Sequence, residues 1–203
     1  MFSKLKGMFA FGIWDAEKKS LLLARDRFGE KPLYYAFGNN GELVFASEIK
    51  AIIASNLVKP KVSKKALVHY LQYLYIDPLE TIYENIHTLE PGCFLEFAND
   101  EVNINRYYHY PITQEILIDD AADIFKEKFE KSVENQLIAD VDVGAFLSGG
   151  LDSSTIVAVA QKYKSNLKTF SFGFEGSKSE LSYAREIASK YNTNYYELFA
   201  EDV

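Results

Sequence analysis

The chain has 203 residues, enough for one large domain or two smaller ones, and 48% of them are hydrophobic, enough for a packed core. Its 29 acidic and 22 basic side chains leave a net charge of -7 with no basic run, which argues against a nucleic-acid partner. No apolar stretch approaches the roughly 20 residues that cross a bilayer, no signal peptide precedes the first strand-like segment, and one cysteine, Cys93, excludes an internal disulfide; a soluble, cytoplasmic protein with no membrane partner is expected.

The first half reads as β-rich. Short apolar runs at Met8–Trp14, Ser20–Ala24, Pro32–Phe37 and Glu42–Ala46 predict strands. The Gly38-Asn39-Asn40-Gly41 cluster between the last two is a hairpin signal. Strands in sequence with tight turns predict an antiparallel sheet. Glu48–Ser55 reads as a short helix. Ser63 is placed to cap a second helix, with Leu67, Val68, Leu71 and Leu74 at helical spacing and Pro78 as its stop. Gly92–Phe97 and Val102–Tyr108 read as another strand pair joined by Asn99-Asp100. Pro111–Asp119 resembles a linker.

The second half alternates helix and strand. Asp119–Ile138 is expected to be a long helix with apolar positions at Ala122, Ile124, Phe125, Phe129, Val133 and Leu137. Strand Val143–Leu147, helix Ser153–Tyr163, strand Leu167–Phe172, helix Ser179–Tyr191 and strand Asn194–Phe199 follow. That alternation predicts βαβ units on a parallel sheet, so the domain boundary is placed near residue 111.

The stretch Ser148-Gly149-Gly150-Leu151-Asp152-Ser153-Ser154 lies between a strand and a helix. Two glycines let the backbone curl around a ligand. The helix start adds free N–H groups and partial positive charge, and the serines add hydroxyl donors. The result is a nest sized for phosphate or pyrophosphate. Neither a Walker-type lysine loop nor a dinucleotide-binding glycine fingerprint is present. Asp152 beside an anion calls for a bridging cation, and Mg²⁺ suits carboxylate and phosphate oxygens. Alone, Ser-Gly-Gly would be no more than a tight turn between strand and helix.

The Ser148–Ser154 string resembles the SGG-x-DSS pattern of the PP-loop ATP pyrophosphatases. The stretch from Asp140 through Leu147, Phe170-Ser171-Phe172-Gly173-Phe174, and Glu180, Tyr183, Ala184 and Arg185 look like the glutamine-dependent asparagine synthetase family in particular. In the first half Gly7–Phe11, Ala24–Gly29, Lys31–Tyr35, Phe45–Ala51 and Pro91-Gly92 are similar to the later part of that family's glutaminase domain. The resemblance implies an α+β then α/β chain. Residues 1–110 would be the C-terminal part of an antiparallel-sheet glutaminase domain of the N-terminal-nucleophile type (glutamine amidotransferase type 2). Residues 111–203 would start a parallel-sheet PP-loop ATP-pyrophosphatase domain.

The resemblance also implies the site. ATP would lie with adenosine beside the backbone of Phe146, Leu147 and Phe172, and with its phosphates on Ser148, Gly149, Gly150, Leu151, Asp152, Ser153 and Ser154. Asp152 would hold Mg²⁺ through pyrophosphate. The whole protein would join aspartate to ammonia drawn from glutamine through a β-aspartyl-AMP intermediate, and a homodimer stays open. The side chains of Phe146 and Phe172 are expected to be buried strand residues.

The family's N-terminal cysteine nucleophile, its glutamine-holding motifs before Gly7 and a second Ser-Gly-Glu-Gly-x-Asp-Glu segment beyond Val203 have no counterpart in this stretch. A partial chain, inactive by itself, is therefore expected. An enzyme of the same fold acting on another carboxylate, in β-lactam or cell-surface polymer synthesis, and a non-catalytic ATP-binding or interaction module remain as alternatives. Other conspicuous residues read as structural. Cys93 is a strand thiol. His69, His87 and His109 lack metal-ligand spacing. Arg25, Asp26 and Arg27 look like a surface salt-bridge cluster. Asp140 and Asp142 would point to opposite faces if extended and are not read as an acid–base pair.

Overall fold

Alternating apolar residues and tight turns build the first half of the chain. β1 (Ala10–Asp15) and β2 (Ser20–Arg25) pair antiparallel, with Ala10 opposite Arg25. β3 (Tyr34–Phe37) pairs with β4 (Leu43–Ala46) across the Gly/Asn turn. Helix α1 (Ile49–Ala54) and helix α2 (Lys64–Tyr73) follow. A two-residue strand that the sequence did not suggest, β5 (His87–Thr88), adds to β3. β6 (Cys93–Ala98) and β7 (Glu101–Arg106) form a hairpin whose turn residues, Asn99 and Asp100, both have positive φ, as a type I′ turn requires. The second half holds α3 (Ile118–Gln136), β8 (Gly144–Phe146), α4 (Leu151–Tyr163), β9 (Lys168–Phe174), α5 (Leu181–Lys190) and β10 (Asn194–Ala200). This computed structural model describes residues 1–111, 118–174 and 181–200. The expected linker, Ser179 and Glu180 lie wholly or largely outside the described residues.

The chain divides into two units, Met1–Ile112 and Thr113–Val203. The first holds two antiparallel sheets rather than the single one expected, in the orders β1-β2-β6-β7 and β4-β3-β5. The distant β6 recruits β2, so chain order does not give sheet order. Leu23, Leu33, Leu89, Cys93 and Leu95 form one core, and Ala36, Ile52, Val58 and Ile86 another. Cys93 is buried, and burial raises its thiol pKa. The second unit has a parallel sheet in the order β10-β9-β8. Val133 of α3, Val157 and Ala160 of α4, and Ala184 and Ala188 of α5 pack against Leu147 and Leu167.

Two expectations for the first unit are overturned. The Arg25-Asp26-Arg27 triplet is not a surface ion-pair cluster. Asp26 is 1% exposed, and its carboxylate accepts backbone N–H groups from Phe9 (3.3 Å), Phe28 (3.1 Å), Glu30 (3.0 Å) and Lys31 (2.9 Å). Burial pushes its pKa up, but the N–H groups of Lys31, Glu30, Phe28 and Phe9 outweigh burial and hold it below its ordinary value. The Arg25 guanidinium donates to the carbonyls of Gly29, Lys31 and Leu89 and to Thr88 Oγ1. Arg27 lies over the Tyr108 ring at 5.2 Å and donates to Leu5 O. The triplet therefore organises the 26–31 loop from inside, because backbone groups of a tight turn, not opposite charges, are its nearest partners.

The second correction concerns α2. Ser63 caps it, accepting Ala66 N–H at 3.1 Å, but Leu74 in the left-handed conformation ends it before Pro78 is reached. Its buried residue is Ala66, while Leu67, Val68, Leu71 and Leu74 are exposed. Helical spacing locates a stripe on a helix but not the direction the stripe faces. The histidines make ring contacts: His69 with Tyr73 and Tyr75, and His87 with Tyr35.

Candidate functional site

β8 is short because Ser148 and the glycines that follow turn the chain into α4. Helix α4 starts at Leu151, two residues before the sequence suggested, so Leu151 and Asp152 belong to its first turn and not to the loop. Its N-cap is Gly150, which has no side chain to cap with. The first-turn N–H groups therefore have no intrahelical partner, and the positive end of the helix faces the loop.

Hydroxyls hold this loop in shape. Ser153 Oγ accepts Ser148 N–H at 3.2 Å and lies 3.0 Å from Ser148 Oγ, which in turn accepts Gly150 N–H at 3.3 Å. Ser154 N–H donates to Gly150 O at 3.0 Å. The Ser154 hydroxyl oxygen is buried with no partner among the described residues. Gly149 has φ +81°, and a Cβ there would stand 2.6 Å from Tyr183 Cβ and 2.7 Å from Ala184 N. The first turns of α5 thus press on the loop, and only glycine supplies both the conformation and the space.

Beside the loop, at the carboxyl ends of β8 and β9, lies an open cleft of about 230 Å³ lined by Phe146, Leu147, Ser148, Phe170, Ser171, Phe172 and Leu181. Ser171 Oγ donates to Leu147 O, and Leu147 N–H donates to Phe170 O at 2.8 Å. These bonds tie the two strand ends that form its wall. Leu147 is buried, but the side chains of Phe146 and Phe172 are 87% and 61% exposed, contrary to expectation. The reason is the strand period of two. Ala145, Leu147, Thr169 and Ser171 alternate with Phe146, Phe170 and Phe172, and the helices pack on the face of the first set. Phe170 instead stacks on Tyr196, with ring centroids 5.2 Å apart.

The fold thus brings Phe146, Leu147, Ser148, Gly149, Gly150, Leu151, Asp152, Ser153, Ser154 and Phe172 into one region of the second unit. Sequence reading did not single out Phe170, Ser171 and Leu181 as cleft residues, or Tyr183 and Ala184 as the backing of Gly149. Pairing of β9 with β8 was the available signal for the first two. Asp142 forms an exposed ion pair with Lys168 at 2.7 Å. Asp152 is an exposed carboxylate in the first turn of α4. No group of three or more His, Cys, Asp or Glu suited to a metal occurs among the described residues. Asp152 would therefore supply a single carboxylate to an ion whose other ligands are phosphate oxygens and water, a donor set that fits Mg²⁺.

A glycine turn at the carboxyl ends of parallel strands, a helix start without a side-chain cap and an adjoining open cleft lined by aromatic residues mark the second unit as an α/β module. Comparison with known proteins finds matches over both units. Residues 1–108 match the glutamine amidotransferase domain model and residues 125–202 match that of asparagine synthase, and the chain belongs to the glutamine amidotransferase family. A relative in Methanocaldococcus jannaschii is 35% identical over 98% of this chain and 40% of its own length. Asparagine synthetase [glutamine-hydrolyzing] 1 of Bacillus subtilis is 38% identical over 92% of this chain and 30% of its own. Asparagine synthetase [glutamine-hydrolyzing] 3 of Arabidopsis thaliana is 32% identical over 96% of this chain and 30% of its own. The chain thus spans between 28% and 40% of the length of the first curated relatives it matches. No helix among the described residues is long and apolar enough to cross a membrane.

Proposed function

We propose that this chain is part of a glutamine-dependent asparagine synthetase. In this reading the first unit belongs to an N-terminal-nucleophile-type glutaminase domain and the second begins a PP-loop ATP-pyrophosphatase domain. The observation that carries it is the Ser148–Ser154 turn, with Gly149 at φ +81° pressed against α5 and the cleft of about 230 Å³ beside it.

ATP would place its adenosine along the backbone of Phe146, Leu147 and Phe172. Its β- and γ-phosphates would receive the first-turn N–H groups of α4 and the hydroxyls of Ser148 and Ser153, while the buried Ser154 hydroxyl would lie beneath them. The aspartate side-chain carboxylate attacks the α-phosphorus, forming β-aspartyl-AMP as pyrophosphate leaves. Ammonia from glutamine then displaces AMP and yields asparagine. The contribution of this chain is to stabilise negative charge on the departing pyrophosphate with preset donors. Asp152 would hold Mg²⁺ on the same oxygens, and the ion would neutralise charge there. Net acidity speaks against a nucleic-acid partner, and the single thiol fits the cytoplasm.

Calorimetric titration of the chain with ATP and Mg²⁺ tests the nucleotide half of the proposal. Expected is binding of ATP and of pyrophosphate that weakens when Mg²⁺ is chelated. No heat with either ligand at millimolar concentration would remove the site. The chemical half is tested on the whole protein with glutamine, ATP and a panel of acids. Asparagine, AMP and pyrophosphate in equal amounts support the reading. Amidation of another acid in preference to aspartate would move the acceptor, and no amidation with ATP bound would leave a nucleotide-binding module.

A further inference from the structure

Helix α5 stands against its surroundings at two glycines. A Cβ on Gly149 would meet Tyr183 Cβ at 2.6 Å and Ala184 N at 2.7 Å, and one on Gly173 would meet Leu181 Cδ1 at 2.5 Å. The missing Cβ atoms set how closely the first turns of α5 can approach. They supply little attraction to keep α5 there, because glycine has no side chain to pack. The residue after Ala184 is Arg185. Its Nε and Nη2 donate to the two carboxylate oxygens of Glu197 on β10, at 2.6 and 2.8 Å. Two further ion pairs of this unit, Lys162–Glu130 and Lys168–Asp142, each rest on the single nitrogen of a lysine.

We propose that Arg185 and Glu197 are a positioning pair for the Ser148–Ser154 loop. They hold α5 against Gly149, so that the loop's N–H groups and hydroxyls keep the spacing that pyrophosphate needs. This role rests on the nucleotide reading of the loop and adds two residues from outside it. Three observations carry it. The first is place. Glu197 lies opposite Ser171 in the β10–β9 register, and Ser171 Oγ donates to the carbonyl of Leu147, the residue before the loop. Side chains directly opposite each other share a face of the sheet. The pair therefore anchors α5 at the row of the sheet from which the loop departs.

The second is geometry. A guanidinium forked on a carboxylate fixes direction as well as distance, which a lysine does not. An exposed pair held by one contact contributes little, but only 17% of the Glu197 side-chain surface is exposed, so water competes less for its oxygens. The third is the weakness of the loop's own bonds. Those among Ser148, Gly150 and Ser153 measure 3.0 to 3.3 Å and are exposed to solvent. A loop held by such bonds depends on what backs it, and its backing is the turn of α5 that carries Arg185.

Calorimetric titration of the full chain with magnesium pyrophosphate, joined to hydrogen exchange without ligand, tests the proposal at a temperature where every variant is folded. Arg185→Gln and Glu197→Gln should each weaken pyrophosphate binding by about tenfold. Each should also speed exchange at the Gly150 amide, which donates to Ser148 Oγ. Combining the two should add nothing, because either alone breaks the pair. Arg185→Lys keeps the charge but loses the fork, and should recover part of the affinity. Asp142→Asn breaks the ion pair with Lys168 at the amino ends of the strands, away from the loop, and should leave both readouts unchanged. A wild type that binds pyrophosphate no more tightly than Arg185→Gln and Glu197→Gln would overturn the proposal and leave the nucleotide reading standing. So would fully additive losses, unchanged exchange at Gly150, or an equal loss in Asp142→Asn. A wild type with no affinity for pyrophosphate or ATP would overturn the nucleotide reading and the proposal with it.

Discussion

Asp26→Asn probes the densest polar centre of the first unit. The wild-type carboxylate serves four N–H groups, with Oδ1 accepting from Phe28 and Glu30 and Oδ2 from Phe9 and Lys31. Asparagine keeps one acceptor oxygen and replaces the other with NH₂. Whichever way the amide turns, one pair of N–H donors faces another donor. Hydrogen bonds to a charged acceptor contribute about 1.5–3 kcal/mol each, and an orphaned buried donor costs a similar amount. The loop retains some access to water, so the net loss is set at about 3 kcal/mol, a large share of the 5–15 kcal/mol typical of a domain.

The assay is urea denaturation together with hydrogen exchange at the amides of Phe9, Phe28, Glu30 and Lys31. The pH dependence has a definite sign. The folded pKa of Asp26 lies below its ordinary value, so its contribution is present above the ordinary carboxylate range and is lost as pH falls through the folded value. The gap between wild type and Asp26→Asn should therefore be widest near neutrality and narrow below about pH 4. A loss under about 1 kcal/mol at pH 7, with unchanged exchange at all four amides, would refute the account of Asp26 as the organiser of the loop.

Further predictions concern the second unit and the α2 cap. Gly149→Ala should detach the loop from α5, because its Cβ would stand 2.6 Å from Tyr183 Cβ; calorimetry should show ATP affinity reduced by at least about tenfold, with lower thermal stability. Asp152→Asn should leave the melting temperature nearly unchanged but reduce the gain in ATP affinity from added Mg²⁺ by about tenfold, since it removes a charged ligand to the ion. An equal Mg²⁺ effect in both proteins would exclude Asp152. Ser171→Ala should cost about 1–2 kcal/mol in denaturant titration by freeing the Leu147 carbonyl, and no change would mean the strand ends hold without it. Ser63→Ala should cost about 1 kcal/mol through the lost cap of α2, read as faster exchange at the Ala66 amide.

Local chemistry alone carried much of the element pattern. The Asn99-Asp100 turn, the Ser63 cap and the β3–β4 hairpin depend on residues a few positions apart, and the structure has each of them. The glycine turn between β8 and α4 was legible for the same reason, since its hydroxyls and N–H groups all come from Ser148–Ser154. Tertiary structure decided the rest. Two antiparallel sheets form where one was expected, because β6 pairs with β2 and β5 with β3 across long stretches of chain. The Arg25–Arg27 charges turn inward because Phe9, Thr88 and Leu89 reach them from distant segments. Phe146 and Phe172 stand exposed, and the leucines of α2 face outward, because periodicity fixes which side chains share a face but not which face the remaining chain covers. That choice depends on contacts between residues far apart in sequence, which spacing does not encode.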